Sequence, residues 1–356
     1  MKSEVVRVEL EERSYEVVIG AGVREELPLR VPSLGDGEVL LVHDGPERPW
    51  PAEVKQKLEA AGRRVVECVL PAGEEHKHIR TVERIWDAAL EADLDRRCVV
   101  VGVGGGVVGD LTAFGASTLF RGVSLAQLPT TLLSMVDSSV GGKTGFNRPQ
   151  GKNLVGTFYQ PRFVACDVET LATLPREERI AGLAEVVKSA WLEGEEAVAM
   201  LEADADLLRE GDVEATIRAV VMSVRLKARI VSEDERESGS RMLLNLGHTV
   251  GHAIEAAEEY RGVRHGEAVS LGMVAACRVA RACLGERPDE ARLLGLLTRL
   301  GLPTDLEAHY DAKASAHLVS DKKRRGASIR FVVPTSPGKT RIESIAVDDV
   351  RRALGV

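Results

Sequence analysis

The hydrophobic pattern of this chain changes near its middle, and this change limits the possible folds more than any other feature. In the first half, short apolar runs alternate with amphipathic stretches. The apolar runs lie at 4–10, 15–19, 38–42, 63–70, 98–103, 124–128 and 162–167. Helical periodicity lies between them, most clearly at 52–61 and 79–92. This alternation predicts βαβ units that support a mostly parallel sheet.

The second half is mainly helical in pattern. Amphipathic segments lie at 176–192, 213–232, 243–257, 267–284 and 289–300, with one late strand candidate at 328–333. A chain of 356 residues is long enough for two domains. We therefore predict an α/β, Rossmann-like nucleotide-binding domain over 1–165 and a mainly α-helical domain over 166–356. Small ligands often bind in a cleft between two such domains.

Charge, hydropathy and cysteine usage exclude several classes of protein. The net charge of −8 argues against a nucleic-acid partner. No apolar run approaches the roughly 20 residues of a bilayer span, and the first 18 residues lack the apolar core of a signal peptide. We therefore expect a cytoplasmic protein without a membrane partner. The five cysteines are scattered without a CxxC pair, so we expect reduced core residues, at Cys68, Cys98, Cys166, Cys277 and Cys283.

A glycine-rich turn follows the fifth apolar run. The letters GGGVVGD at 104–110 match the spacing GxGxxG and lead into a helical pattern. Glycines there allow backbone N–H groups and a helix N-terminus to meet a pyrophosphate. The acidic residue expected about 20 positions later is missing, because 121–135 contains no carboxylate. The run fits either a dinucleotide site or a purely structural turn.

A second glycine-rich stretch carries lysines. Gly142, Lys143 and Thr144 do not form a P-loop, because Asp137 stands where that motif requires glycine. The stretch 137–143 and the later 151–153 instead predict an anion-binding loop, for which a solvated surface turn is the alternative.

Polar residues recur at helical spacing around His248. Arg241, Asn245, His248 and His252 are spaced i, i+4, i+7 and i+11, so one continuous helix would present them on one face. The stripe is either the solvent edge of that helix or a functional face. Two histidines four residues apart can ligate one metal ion, and His265 offers a third imidazole.

A carboxylate would complete such a metal site. Glu185 is a candidate because its neighbours at 182–187 are mostly apolar. The alternative is an exposed ion pair between Glu185 and Lys188, which would contribute little.

Taken together, these motifs resemble the 3-dehydroquinate synthase family over 71–323. The resemblance is carried by 71–77, 104–112, 127–144, 151–153, 182–188, 244–255, 265–267 and 321–323. It implies Zn²⁺, or Co²⁺ in its place, on Glu185, His248 and His265, with His252 near the substrate phosphate instead. It also implies that NAD lies along Asp44, Glu74, Lys77, Gly105, Gly106, Val107, Val108, Gly109, Asp110, Thr130, Thr131, Lys143, Lys152, Thr170, Leu171, Ala172 and Thr173.

The same resemblance implies a set of residues that hold a sugar phosphate. They are Asp137, Lys143, Lys152, Asn153, Lys188, Lys227, Arg241, Asn245, His252 and one lysine of 321–323, either Lys322 or Lys323. Arg121 resembles an arginine that reaches the phosphate in a neighbouring subunit, which implies a homodimer.

The implied reaction converts 3-deoxy-arabino-heptulosonate 7-phosphate into 3-dehydroquinate and phosphate, in the shikimate pathway of aromatic amino acid biosynthesis. It proceeds by transient oxidation with NAD, β-elimination, re-reduction, ring opening and aldol cyclisation, and the enzyme is formally a lyase. The alternatives are a related sugar phosphate cyclase, a metal-dependent polyol dehydrogenase and a nucleotide-binding protein without catalytic activity.

Overall fold

The computed structural model describes residues 3–45, 47–259, 262–320 and 328–356. The chain packs as two compact units. The first comprises Met1–Pro175 with Lys227–Ser232, and the second comprises Arg176–Leu226 with Glu233–Val356. The packing thus divides after Pro175, and the domain boundary after residue 165 stays a prediction.

The first unit is built on a seven-stranded sheet. Its strands are β1 (Glu4–Val8), β2 (Tyr15–Gly20), β3 (Val39–His43), β4 (Val65–Val69), β5 (Val99–Gly104), β6 (Ser124–Pro129) and β9 (Phe163–Asp167). The order is β1-β2-β9-β6-β5-β3-β4, and only β1 and β2 pair antiparallel. Its helices are α1 (Leu27–Leu34), α2 (Pro49–Ala60), α3 (Ile79–Glu91) and α4 (Gly106–Thr118). The predicted parallel α/β architecture is confirmed.

Helices cover both faces of this sheet, which explains the continuous apolar runs in its central strands. Val100 on β5 packs in the core cluster that contains side chains of α3 and α4. Its neighbours Val99 and Val101 point the other way and pack with side chains of α1 and α2. Successive strand residues alternate between faces, so every residue of β5 becomes buried.

A separate hairpin stands where the sequence predicted an anion-binding loop. Strands β7 (Lys143–Arg148) and β8 (Gly151–Phe158) pair antiparallel. Lys143 begins β7, while Lys152 and Asn153 lie near the start of β8. The predicted anion-binding loop of 137–143 and 151–153 was therefore wrong as a loop at these three residues, because two strands carry their side chains. Their binding of an anion stays a prediction.

The second unit is mainly helical, as predicted. Its helices are α5 (Arg176–Glu193), α6 (Glu195–Glu210), α7 (Val213–Glu233), α8 (His248–Ala257), α9 (His265–Leu284), α10 (Glu290–Leu300), α11 (Ala312–Ser320) and α12 (Val347–Ala353). The last turns of α7, from Lys227, group with the first unit. Strands β10 (Ser328–Ser336) and β11 (Lys339–Ala346) form an antiparallel pair.

The predicted continuous helix over 243–257 was wrong. A short 3-10 helix, Ser240–Asn245, ends before α8 begins at His248. Between them Gly247 adopts a φ of 81°, and a Cβ there would come within 2.7 Å of the Val269 carbonyl oxygen. Glycine allows both the left-handed backbone and the close approach. Arg241 and Asn245 therefore do not share one helix face with His248.

Among the described residues, no helix combines the length and the apolar character needed to cross a membrane. All five cysteines are free, and all except Cys283 are buried. Burial raises the pKa of the Cys68 thiol to about 11 and that of Cys277 to about 12. Four of the five cysteines are therefore core residues, as expected, and their reduced state stays a prediction.

Candidate active site

Three helices of the second unit bring together one carboxylate and two imidazoles. Glu185 lies inside α5 and is 1% exposed. His248 and His265 are the first residues of α8 and α9. One ligand atom from each of the three side chains lies within 4.8 Å of the others. The sequence-predicted metal candidates are therefore neighbours in the structure.

Glycines allow these helices to approach closely. A Cβ on Gly266 in α9 would overlap the carbonyl oxygen of Ala181 in α5. A Cβ on Gly272 would overlap the Gly247 carbonyl oxygen, and one on Gly251 would lie 2.9 Å from the Ala268 carbonyl oxygen. Helix α9 therefore packs backbone to backbone against its neighbours, which places His265 next to Glu185.

The ring orientations direct one nitrogen of each histidine toward the carboxylate. Nδ1 of His248 lies 3.2 Å from the Leu246 carbonyl oxygen, and Nδ1 of His265 lies 3.3 Å from Oε2 of Glu255. The Nε2 atoms lie 3.4 and 3.5 Å from Oε1 of Glu185. One carboxylate oxygen and two imidazole nitrogens are a donor set that Zn²⁺ or Co²⁺ accepts, with positions left open for a substrate. The residues present thus fit a catalytic divalent metal.

The ammonium group of Lys188 balances the negative charge of the Glu185 carboxylate. Its Nζ pairs with Oε2 of Glu185 one turn away on α5, and the two side chains are only 2% and 1% exposed. The alternative of an exposed ion pair at this position was therefore wrong. Removal of either partner from such a buried ion pair is destabilising, because the remaining charge would be buried without an opposite charge beside it.

The two histidines have opposite pKa shifts. Burial, aided by the charge of Lys188, lowers the pKa of His248 to about 3, so its imidazole is neutral. Burial alone would also lower the pKa of His265, but hydrogen bonds to Glu185 and Glu255 outweigh it and raise that pKa to about 10. His265 is therefore protonated at neutral pH in the metal-free protein.

We expect the apparent metal affinity to rise with pH. A metal ion must displace one proton from His265, whereas His248 has none to release. Below the pKa of His265, each pH unit should strengthen binding by about tenfold. Co²⁺ titrations of metal-free protein between about pH 6 and 8, in competition with a chelator whose own protonation is corrected for, measure this slope. An affinity independent of pH would contradict the assignment.

Two of the other polar residues of the predicted stripe lie on the segment before α8, and the third, His252, lies within α8. Arg241 is 2% exposed and donates from its guanidinium to the Glu235 carbonyl oxygen. Asn245 donates to Oε1 of Glu237 at 2.8 Å. His252 lies one turn after His248 in α8 and is exposed, with its ring centroid 5.3 Å from that of His248.

The glycine-rich turn of the first unit has the expected strand-to-helix geometry. Strand β5 ends at Gly104, Gly105 caps the helix and α4 begins at Gly106. A Cβ on Gly104 would come within 2.6 Å of the Val108 side chain. A small cleft opens here, lined by Gly102, Gly104, Gly105, Gly109, Gln127 and Ser138. A helix N-terminus beside such a cleft can bind a phosphate group.

Two ion pairs organise the predicted polar residues of the first unit. Nζ of Lys77 lies 2.6 Å from Oδ2 of Asp110. Burial raises the pKa of the Asp110 carboxyl, although the positive charge of Lys77 acts to lower it. Nζ of Lys227 lies 2.6 Å from Oδ1 of Asp137. Both lysines are buried, so their ammonium groups are held in place.

The remaining predicted residues lie at several places on the first unit. Asp44 follows β3 and is half-buried, Thr131 bonds Ser134 Oγ at 2.8 Å, and Arg121 is exposed. Residues Thr170, Leu171, Ala172 and Thr173 belong to the 3-10 helix Val168–Thr173, capped by Asp167. Lys322 and Lys323 lie outside the described residues.

Family models match most of the chain. The model described as 3-dehydroquinate synthase N-terminal matches residues 67–181, and the one described as 3-dehydroquinate synthase C-terminal matches 182–324. The 3-dehydroquinate synthase of Halorhodospira halophila is 46% identical over 332 residues, with 93% of each chain covered. The chain belongs to the 3-dehydroquinate synthase family. The enzyme of the same name from Nostoc punctiforme is 40% identical, with 98% of each chain covered.

Solved structures of other sugar phosphate cyclases share the fold of this 3-dehydroquinate synthase family member. A 2-deoxy-scyllo-inosose synthase, complexed with carbaglucose-6-phosphate, NAD⁺ and Co²⁺, is 27% identical with a TM-score of 0.87 over 99% of each chain. The 2-epi-5-epi-valiolone synthase of Streptomyces hygroscopicus, with NAD⁺ and Zn²⁺ bound, is 26% identical with a TM-score of 0.83 over 97% of each chain.

Three residues at these sites escaped the sequence analysis. Asn147 donates to Oε1 of Glu74 at 2.7 Å and accepts from the Asn153 backbone N–H at 2.9 Å. Asp234 accepts hydrogen bonds from the backbone N–H groups of Ser238, Gly239 and Arg241. Burial raises the pKa of this carboxyl, but the hydrogen bonds outweigh burial and lower the pKa to about 2. Glu255 contacts His265. Only Glu255 could have been found from the sequence, because it lies seven residues after His248 and therefore on the same face of a helix.

Proposed function

We propose that this protein converts 3-deoxy-arabino-heptulosonate 7-phosphate into 3-dehydroquinate and phosphate, and is formally a lyase that cleaves a carbon–oxygen bond. The observation that carries the proposal is the convergence of Glu185, His248 and His265, within a chain that the 3-dehydroquinate synthase family models match. A site with one carboxylate and two histidines suits a metal that also binds substrate.

The cofactors follow from the same family membership. NAD would bind at the turn of Gly104–Gly109, and Zn²⁺ or Co²⁺ would bind at the Glu185 site. The two cyclase structures that contain NAD⁺ with Co²⁺ or Zn²⁺ support this assignment. Zn²⁺ or Co²⁺ held by Glu185, His248 and His265 would supply polarisation of a substrate hydroxyl, and NAD would supply a hydride acceptor and donor with no net redox change.

The polar side chains of this protein would bind and orient the substrate. In the first unit, Asp137 holds the ammonium of Lys227 in place, and we assign substrate contacts to Lys227, Lys143, Lys152 and Asn153. In the second unit, the assigned contacts are Lys188, Arg241, Asn245 and His252. Cationic groups at the leaving phosphate stabilise the charge that develops when the carbon–oxygen bond breaks. The role of Lys322 stays a prediction.

The family match also bears on the rival activities. The 2-deoxy-scyllo-inosose synthase shares the fold at 27% identity, whereas the 3-dehydroquinate synthases of Halorhodospira and Nostoc are 46% and 40% identical. The substrate proposed here also carries a carboxylate, and the buried guanidinium of Arg241 is suited to bind one. We therefore favour 3-dehydroquinate formation over cyclisation of a sugar phosphate that lacks a carboxylate.

We further propose that the working unit is a homodimer located in the cytoplasm. The exposed apolar side chains Leu154 and Phe158, which share one face of β8, support an interface, because exposed apolar surface is often covered by a partner. Arg121 is exposed on the first unit and would reach the phosphate bound by a second copy.

The decisive measurement is phosphate release from 3-deoxy-arabino-heptulosonate 7-phosphate, with a trace of NAD and with Zn²⁺ or Co²⁺. We expect many phosphates per NAD and no lasting absorbance from NADH, because the hydride returns within each turnover. Removal of the metal by a chelator should stop the reaction, and added metal should restore it. Steady NADH accumulation without phosphate release would instead indicate a dehydrogenase, and no reaction at all would indicate a different cyclase substrate.

A further inference from the structure

The carboxylate of Glu255, on α8, has no part in the binding roles described above. Glu255 is 2% exposed, and a carboxylate so far from water requires hydrogen-bond donors or cations. Its Oε2 lies 3.3 Å from Nδ1 of His265. On the opposite side of the same ring, Nε2 lies 3.5 Å from Oε1 of Glu185. The imidazole of His265 therefore lies between two buried carboxylates.

We infer that Glu255 is a positioning residue for the metal ligand His265. Its carboxylate accepts the Nδ1–H hydrogen, which fixes the ring orientation and leaves Nε2, on the Glu185 side of the ring, as the nitrogen that binds the metal. A carboxylate behind a ligating imidazole also makes that imidazole a stronger donor. The inference rests on the proposed metal-dependent function, because it assigns a metal to Nε2.

The two histidines of the site are oriented by different groups. His248 has the Leu246 carbonyl oxygen 3.2 Å from its Nδ1, so the backbone orients this ring. His265 depends on a side chain from the neighbouring helix. The close approach of α8 and α9 at Gly251 and Ala268 holds that side chain in place. A change at Glu255 should therefore affect His265 without moving His248.

A second arrangement of the same residues must be distinguished. Ligand atoms of His252, Glu255 and His265 also lie within 4.8 Å of one another, so this group could bind a second ion. His252 is exposed, however, and the 3.3 Å separation of Glu255 and His265 matches a direct hydrogen bond. We therefore favour positioning over ligation, and the number of ions bound per chain separates the two.

The test compares Glu255→Gln with Glu258→Gln in the full chain. Glutamine keeps the size of the side chain but removes its charge, and Glu258 is an exposed control just beyond α8. Co²⁺ titration of the metal-free proteins should show one ion per chain in each case. We expect binding to Glu255→Gln to be about 10- to 100-fold weaker, with an altered visible spectrum of the Co²⁺ ion, and no change for Glu258→Gln.

The possible outcomes distinguish failure of the inference from failure of the proposed function. Unchanged Co²⁺ affinity and spectrum in Glu255→Gln would show that the carboxylate does not orient the ligand. Two ions in the unmodified protein and one in Glu255→Gln would make Glu255 a ligand. If Glu255→Gln weakens Co²⁺ binding but the unmodified protein releases no phosphate from the substrate, the inference stands and the proposed function fails. If the unmodified protein binds no Co²⁺, both fail.

A measurement on the unmodified protein covers the case in which Glu255→Gln does not fold. With zinc bound and histidine labelled with ¹⁵N, the His265 ring should show a protonated Nδ1 and a metal-bound Nε2. The reverse tautomer, with Nδ1 on the metal, would contradict the inference.

Discussion

Glu185→Gln should remove both metal binding and catalysis and should also destabilise the second unit. Glu185 supplies the carboxylate of the proposed metal site. Loss of a group behind a ligand weakens metal binding by up to about 100-fold, so loss of this proposed ligand should weaken Co²⁺ binding by more than that. The substitution also leaves the ammonium of Lys188, which is 2% exposed, without its carboxylate. Removal of one partner from a buried pair costs about 3–5 kcal/mol of unfolding free energy. Metal titration, phosphate release and chemical denaturation measure the three effects.

Two further variants separate these effects. The double variant Glu185→Gln with Lys188→Met removes both buried charges, so it should recover most of the stability while metal binding stays lost. Glu195→Gln, at an exposed glutamate paired with Arg292, should change stability by about 1 kcal/mol or less and leave metal binding intact. Full Co²⁺ affinity in Glu185→Gln would exclude this residue as a ligand.

Gly266→Ala should separate His265 from Glu185 although it alters neither of these proposed metal ligands. The backbone of Gly266 has ordinary helical geometry, but a Cβ there would overlap the Ala181 carbonyl oxygen. The first turn of α9 must then move away from α5, and overpacking of this kind costs about 1–3 kcal/mol. A metal site tolerates displacements of only about 0.5 Å, so Co²⁺ affinity should fall together with stability.

The matched control is Gly295→Ala on α10, where a Cβ would have nothing within 4 Å. Alanine favours helices more than glycine, so this variant should gain about 0.5–1 kcal/mol of unfolding free energy and keep its metal affinity. Co²⁺ titration and thermal unfolding of both variants provide the comparison. Unchanged Co²⁺ affinity in Gly266→Ala would show that close packing of α9 on α5 does not position His265.

The hydrophobic pattern of the sequence was enough to predict most regular elements. Each strand of the seven-stranded sheet was expected, and α5, α7, α9 and α10 lie within a few residues of their predicted bounds. These predictions succeed because burial of one helix face or both sheet faces leaves a periodic pattern among neighbouring residues. Strand β8 lacks such a pattern, because most of its residues are exposed, and the sequence pattern therefore does not predict it.

Residue types and motifs also nominated Glu185, His248 and His265, and their assignment as metal ligands stays a prediction. The sequence by itself determined the order of most strands and helices, the glycine-rich turn after β5 and the side chains capable of binding metal and phosphate. Only the tertiary structure decided that Gly247 separates Arg241 from the helix of His248, that Lys188 and Glu185 form a buried pair, and that Glu255 contacts His265. Local periodicity records burial along one element, whereas these contacts join atoms of different elements, and their distances depend on how closely the helices pack.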